Sequence, residues 1–122
     1  MGHSIQLVLY LNSTLKPLDT GVVTSPNYPG NYPASLRKTV TMQVEEGMVI
    51  LLQFTAFKTA NCNDKLRITD GDGTALLGRA CGSSLPTKIK SASNVIEMFF
   101  ETDVDNTAEG WSARWSAVTP GE

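Results

Sequence analysis

Hydrophobic and polar residues alternate along several short stretches of the chain. In WSARWSAV at 111–118, two tryptophans and two alanines fall on one face, and polar side chains fall on the other. KLRIT at 65–69 alternates in the same way and places Leu66 and Ile68 inward. A period of two residues is that of a β-strand with one buried face. The pattern therefore predicts half-buried strands in both stretches.

Four further stretches are rich in β-branched and aromatic residues, which favour strands. They are IQLVLYL at 5–11, TVTMQV at 39–44, MVILLQFTAF at 48–57 and NVIEMFF at 94–100. Turn-forming residues separate them, at 45–47, 70–73, 81–86, 91–94 and 105–110. No segment longer than about ten residues carries apolar residues at helical spacing. The chain is predicted to be an all-β sandwich or barrel.

Length and composition limit the domain organisation and the class of partner. The 122 residues fit one domain, predicted over 5–118, with MGHS at 1–4 interpreted as an addition in front of it and 119–122 as a tail. Apolar residues make up 41% of the chain, which allows a real core. The net charge is −2, so a nucleic-acid footprint is not expected. The apolar runs are too short to cross a bilayer, so membrane insertion is not expected either.

The two cysteines, Cys62 and Cys81, are compatible with a disulfide, with buried thiols or with a redox pair. The C-x-x-C spacing of redox sites is absent, and a zinc site would need more Cys or His. A bridge over this loop length is worth about 3 kcal/mol in the chain-entropy model. The disulfide is the favoured interpretation and indicates an oxidising, extracellular compartment. Asn12-Ser13-Thr14 is a glycosylation acceptor pattern, which agrees with secretion.

Candidate catalytic residues are scarce. Serine and cysteine nucleophiles need a base, usually histidine, and the single histidine is His3. A glycosidase needs only two carboxylates, but the chain's 12 acidic residues make that match uninformative. No catalytic residues are assigned, and the sequence favours a protein that is not an enzyme.

Two acidic stretches are candidates for cation binding. DGDG at 70–73 is similar to the start of an EF-hand loop, but Cys81 stands where that loop needs its final Glu, and a tight turn explains the stretch. ETDVDN at 101–106 has no Lys or Arg between Lys90 and Arg114 to compensate it. Crowded carboxylates cost stability, which a hard cation would relieve. The alternative is a solvated acidic loop, and Asp64 of NCND is a further ligand if the fold brings the loops together.

Seven motifs occur in order from about Thr20 to Val118. They are GVVTSPNYP at 21–29, a second Tyr-Pro at 32–33, Gly47 before VILLQFTAF, CNDKLRITDG at 62–71, LGRACG at 77–82, FFETD at 99–103 and GW with ARW at 110–115. Together they resemble the CUB domain family. The chain departs from the family pattern by one residue missing after Cys62, by Thr102 for Ser, and by Trp111 and Trp115 for Phe and Tyr.

The resemblance implies a jelly-roll-like β-sandwich of two antiparallel sheets, about five strands each. It implies that Cys62 pairs with Cys81. The earlier disulfide of many members is absent, because its positions match Lys38 and a residue near Asn12. In this the chain is similar to the first CUB domains of complement-type proteases and to the CUB domains of some growth factors. Lys38 and its neighbour Arg37 form either a solvated strand edge or a basic contact patch, and the edge is favoured.

The resemblance also implies a calcium site. Two family ligands carry over to Asp64 and Asp103, and the loop that follows adds Val104, Asp105 and Asn106 as candidates. The family's glutamate does not carry over, because Ala60 stands at its position. Lys58 lies nearby, and Asn61, Asn63 or Asp105 would compensate only in part. Calcium binding is therefore expected to be weak or absent.

As a CUB module the chain is expected to be a non-catalytic, extracellular protein–protein interaction domain of a larger secreted or membrane-anchored protein. Asp64, Asp103 and Asp105 are the candidates for meeting a lysine of the partner, with or without calcium. One alternative is carbohydrate binding, as in the spermadhesin-like proteins of seminal fluid, for which Tyr10, Tyr28 and Tyr32 are the candidate exposed aromatics. Another is a structural spacer.

The proline-rich stretch TSPNYPGNYP at 24–33 is either a ligand motif or a structural corner. Proline supplies no N–H, so the stretch is not a central strand. It is predicted to leave a strand at VVT, cross one end of the sandwich and lead to the strand near Lys38. Tyr28 and Tyr32 would pack on the core while their hydroxyls find partners. In some family members a tyrosine of this segment leans on the loops of the calcium site.

Overall fold

The computed structural model describes residues 3–8 and 20–121, and their secondary structure is entirely β. The strands are β1 (His3–Val8), β2 (Thr20–Thr24), β3 (Arg37–Gln43), β4 (Val49–Lys58), β5 (Lys65–Asp70), β6 (Ala75–Ala80), β7 (Ile89–Lys90), β8 (Val95–Glu101) and β9 (Gly110–Val118). No helix in these residues is long and apolar enough to cross a membrane. The six strands predicted from the sequence match β1, β3, β4, β5, β8 and β9.

Two sheets form a sandwich, which confirms the predicted fold. One has five strands in the order β1-β3-β8-β5-β6, and the other has four in the order β2-β9-β4-β7. All neighbouring strands are antiparallel except β1, which runs parallel to β3. Parallel neighbours need a long connection. Residues 9–36 supply it, and they include β2 in the opposite sheet.

The alternating patterns bury one face of each sheet. Leu66 and Ile68 of β5 are fully buried, as predicted. Trp111, Ala113 and Trp115 of β9 face them from the other sheet and are at most 2% exposed. A bulge between Phe54 and Ala56 of β4 shifts the pairing with β9 by one residue. Such bulges bend a strand and let it follow a twisted sheet.

The segment from Ser25 to Leu36 joins β2 of one sheet to β3 of the other, so the proline-rich stretch is the predicted corner. Ser25 is buried, and its hydroxyl accepts the amide N–H of Trp111 at 2.9 Å. Gly110 lies against it with φ +88°, and a Cβ at this position would overlap the Ser25 hydroxyl. Glycine is required here both for its backbone conformation and for space.

Candidate functional site

The candidate site lies at the end of the sandwich where β5 begins and β8 ends. It consists of Tyr32, the loop at 59–64 and the loop at 102–106. We call these three parts together the acidic end. The corner segment crosses beside it, because the amide of Tyr32 donates to the carbonyl of Ala108 at 3.0 Å. The fold therefore brings Asp64 and Asp103 together. In the interpretation of the sequence, a shared cation site was conditional on this proximity.

Asp64 is the centre of the acidic end and is fully buried. Its Oδ2 accepts the Tyr32 hydroxyl at 2.5 Å, and its Oδ1 accepts the backbone N–H of Asp103 at 2.7 Å. A buried carboxylate is costly unless donors surround it. Asp64 therefore cannot touch a partner directly, which corrects its assignment as a contact residue. What it does contact is the backbone N–H of Asp103, whose position it helps to fix.

Tyr32 links the core to this carboxylate. Its ring is 1% exposed and packs edge-to-face on Phe100, with the ring centroids 5.1 Å apart. Its hydroxyl donates to Asp64 and accepts the backbone N–H of Ala60 at 2.9 Å. Burial raises the pKa of Tyr32 above its ordinary value, and the hydrogen bond to the Asp64 carboxylate raises it further. The phenol therefore keeps its proton at neutral pH and is a hydrogen-bond donor to Asp64.

The loop at 102–106 presents carboxylates to solvent. The Asp103 carbonyl accepts the backbone N–H of Ser35 at 2.7 Å, and its Oδ1 accepts the N–H of Asp105 at 3.1 Å. Asp103 is half-buried, whereas Asp105 and Asn106 are exposed. Val104 between them is 76% exposed. The loop thus holds two acidic side chains at the surface on a backbone bonded to the corner segment.

The loop at 59–64 is fixed at several points. The predicted disulfide joins Cys62 to Cys81, with the Cα atoms 5.0 Å apart. Thr59 bonds Gly82 twice, through its backbone N–H at 2.8 Å and its hydroxyl at 2.7 Å. The side-chain oxygen of Asn61 accepts the amides of Asn63 at 2.8 Å and Asp64 at 3.3 Å. These bonds set the position of Asp64.

One acidic residue of the 101–106 stretch is compensated, contrary to the sequence interpretation. Lys65 Nζ lies 3.5 Å from the Glu101 carboxylate. Strand pairing also places Arg37 opposite Glu101. These two cations lie far from Glu101 in the sequence and belong to the strands on either side of it, so the sequence around Glu101 did not reveal them. Lys38 follows Arg37 in β3, beside this pair.

The side chains of the acidic end do not supply a full set of calcium ligands. Calcium takes six to eight oxygens. Ala60 offers no side-chain oxygen, and the Asn61 oxygen is used within its own loop. In the part of the chain that the structure describes, no group of three or more His, Cys, Asp or Glu side chains is placed to hold a metal ion. Three carboxylates remain, and they differ in access: Asp64 is buried, Asp103 is half-buried and Asp105 is exposed.

The other candidate residues lie elsewhere. Asp70 and Asp72 belong to the β5–β6 turn, where the Gly73 N–H donates to the Asp70 carbonyl at 2.9 Å, so this stretch is the tight turn predicted as the alternative to an EF-hand loop. Tyr32 is buried, which removes it from the aromatics proposed for sugar binding, and Tyr28 is half-buried. Tyr10 and the glycosylation candidate Asn12 lie outside the described residues.

Sequence reasoning missed the burial of two aspartates, although a signal was available. The alternation that places Leu66 and Ile68 inward extends by one step in each direction to Asp64 and Asp70. Both are buried in the structure. An aspartate at an inward-facing position of an alternating strand is expected to be buried, with hydrogen-bond donors around its carboxylate.

Comparisons with known proteins agree with this architecture. The family model of the CUB domain matches residues 14–115. Rat cubilin is 37% identical over 103 residues, which cover 81% of this chain and 3% of cubilin. The chain thus spans a small part of the curated relatives it matches. The domain is extracellular, as its relatives are, which confirms the localisation predicted from the disulfide.

Solved structures share the fold. The CUB1-EGF-CUB2 domain of human MASP-1/3 superposes with a TM-score of 0.79 at 28% identity, covering 92% of this chain and 41% of that one. The MASP-1 CUB2 domain bound to Ca²⁺ superposes with a TM-score of 0.76 at 28% identity, covering 89% of this chain and 96% of that one. With the sandwich, the disulfide and the family model in agreement, the chain belongs to the CUB domain family.

Proposed function

We propose that the chain is a non-catalytic interaction module whose acidic end binds a basic group, such as a lysine ammonium, on an extracellular protein partner. The observation that carries the proposal is the placement of Asp103 and Asp105. Both carboxylates are solvent-accessible, and their shared loop is hydrogen-bonded to Asp64 and Ser35. A loop ordered before binding loses little conformational entropy when the partner arrives.

The chemistry suits an ammonium group. Charge-assisted hydrogen bonds to two carboxylates are stronger than neutral ones, and salt screens them when they are exposed. Among the described residues, the ion pair next to this end joins Lys65 to Glu101. Because that pair does not involve Asp103 or Asp105, the charges of these two carboxylates are available for a partner. Association is therefore expected to weaken as ionic strength rises.

Calcium at this end stays a prediction, with Asp64, Asp103, Asp105 and Asn106 as its ligands. The Ca²⁺-bound MASP-1 CUB2 domain supports it, since that domain has the same fold. Bound there, calcium would supply positive charge that orders the two loops. The incomplete donor set around Ala60 argues against it.

Nuclear magnetic resonance tests the proposed function without knowledge of the natural partner. The ¹⁵N-labelled domain is titrated with Nα-acetyl-lysinamide, and with the uncharged Nα-acetyl-norleucinamide as the matched probe. We expect saturable amide shifts confined to 60–64 and 102–106 with the lysine derivative only.

Two variants with the same change in charge complete the experiment. Asp103→Asn should abolish the shifts. Glu46→Gln, in the exposed turn at the opposite end, should leave them unchanged. Equal shifts with the norleucine derivative, or shifts that survive Asp103→Asn, would contradict the proposal.

A further inference from the structure

We infer that a hydrogen-bonded bridge from Tyr32 to Asp64 orders the acidic end in place of a divalent cation, and that Ala60 is the residue that makes this end independent of calcium. The first statement concerns the domain by itself. A consequence, which rests on the proposed function, is that binding of a basic group needs no calcium.

The first step of the argument is the state of the Asp64 carboxylate. It is fully buried, and each oxygen accepts one short hydrogen bond, from the Tyr32 hydroxyl and from the Asp103 amide. An unpaired charge at this depth would be strongly unfavourable. The two donors perform the task that a cation performs in a metal site, because they stabilise the charge and connect the two loops.

The second step is the origin of the Tyr32 position. Its ring packs on Phe100, and its backbone N–H bonds Ala108. The hydroxyl is therefore placed by the core of the sandwich rather than by a ligand. Because it also accepts the Ala60 amide, it ties the loop at 59–64 to the same point.

The third step is the separate anchoring of the loop that carries Asp103. The Thr102 hydroxyl donates to the Pro33 carbonyl at 2.9 Å and accepts the Leu36 amide at 2.8 Å. The Thr102 amide donates to the Leu36 carbonyl at 2.9 Å. The corner segment therefore holds this loop through backbone and hydroxyl groups, none of which requires an ion.

The fourth step is the nature of position 60. The MASP-1 CUB2 domain, which has the same fold, was solved with Ca²⁺ bound. Calcium sites gain affinity from the number of charged ligands. Here Ala60 is exposed and lies one hydrogen bond from the Tyr32 hydroxyl, so a carboxylate at 60 would join Asp64 and Asp103 at the same end. Without a carboxylate at 60, this end has Asp64, whose two oxygens already accept hydrogen bonds, and the surface residues Asp103 and Asp105.

Thermal unfolding tests the inference with calcium alone as the probe. The native domain is melted in millimolar calcium and in EDTA, beside Ala60→Glu and the matched control Ala75→Glu, which adds the same charge to the exposed start of β6. We expect equal melting temperatures for the native domain and for Ala75→Glu in both solutions. Ala60→Glu should gain a calcium-dependent rise of about 5 °C, because a ligand that binds only the folded state stabilises it.

Each outcome bears on the inference. A saturable rise in the native domain that Asp103→Asn removes would overturn it and establish the calcium site. No rise in Ala60→Glu would overturn the assignment of position 60 as the determinant. Neither result involves the lysine derivative, so failure of the proposed function would leave this measurement intact, and the reverse also holds.

Discussion

The two ends of β5 carry buried aspartates with different surroundings. Asp64 precedes the strand and has two donors on its carboxylate, one of them a phenol. Asp70 ends the strand and accepts four hydrogen bonds, from the amides of Gly71, Ala92 and Ser93 and from the Ser93 hydroxyl. The same residue type on the same buried face therefore serves two purposes. Asp70 fastens a turn, whereas Asp64 positions a neighbouring acidic residue for contact with solvent.

The pKa of Asp70 reflects the four hydrogen bonds that its carboxylate accepts. Burial opposes its ionisation, but the hydrogen bonds from Ser93, Ala92 and Gly71 outweigh burial and hold its pKa below the ordinary value. A carboxylate enclosed by backbone donors is a structural element whose charge is permanent at neutral pH. The two ends of the sandwich therefore differ in the donors around their buried acid: four bonds close a turn at Asp70, and two bonds join separate loops at Asp64.

The largest expected effect comes from deleting the two carboxylates. Asp70→Ala leaves four donors without their acceptor and should lower the free energy of unfolding by about 4 kcal/mol. Asp64→Ala leaves two and should cost about 2 kcal/mol. Urea denaturation measures both, with Asp72→Ala as the exposed control from the same turn. Equal losses in the free energy of unfolding for Asp64→Ala and Asp70→Ala would contradict the claim that the two aspartates differ in their structural role.

Removal of the disulfide should be comparable in size. The double variant Cys62→Ala, Cys81→Ala opens a loop with a sequence separation of 19 and should cost about 3 kcal/mol. Because the bridge lies beside Asp64, hydrogen exchange should accelerate at 59–64 and not at 91–94. Uniform acceleration at both ends would show that the bridge stabilises the whole domain and not this loop in particular.

Deleting the Tyr32 hydroxyl is a smaller change. Tyr32→Phe keeps the ring contact with Phe100 but removes a donor to Asp64 and an acceptor for the Ala60 amide. We expect a loss of about 1.5 kcal/mol in urea denaturation. Tyr28→Phe, whose hydroxyl has no hydrogen bond to the described residues, should be close to neutral. If Tyr32→Phe leaves the free energy of unfolding unchanged, the hydrogen bonds of the Tyr32 hydroxyl do not stabilise this end.

The pH dependence is the mildest test. Because the folded pKa of Asp70 lies below its unfolded value, its contribution is complete above about pH 4 and is lost as the pH falls through the folded pKa. Urea midpoints measured from neutral to acidic pH should therefore fall less steeply in Asp70→Asn than in the native domain. The same acid-side slope in both proteins would contradict the assigned role of Asp70.

The sequence predicted the parts of the fold that local patterns encode. The alternation in KLRIT and WSARWSAV identified β5 and β9 and their buried faces. The edge strand β6 was missed, because its sequence ALLGRA does not alternate between apolar and polar residues, and its exposure in the structure does not alternate either. The parallel pairing of β1 was missed as well, since no local pattern specifies a neighbour that follows a long connection.

The candidate site was predictable only in part, for the same reason. The resemblance to CUB domains brought Asp64 and Asp103 together and anticipated a tyrosine beside them. The burial of Asp64, its bond to a hydroxyl 32 residues earlier and the ion pair between Lys65 and Glu101 all join distant segments. Spacing along the chain does not encode contacts of this kind.

Amide hydrogen exchange in EDTA tests the central claim most directly, because it follows both ends of β5 in one experiment. The amides of Ala60 and Asp103 donate to the Tyr32 hydroxyl and to Asp64, and those of Ala92 and Ser93 donate to Asp70. We predict that all four are protected in the native domain without calcium, and that Tyr32→Phe removes protection at Ala60, reduces it at Asp103, whose acceptor Asp64 has lost one of its two donors, and leaves Ala92 and Ser93 unchanged. Protection of Ala60 and Asp103 that arises only when calcium is added would contradict the account.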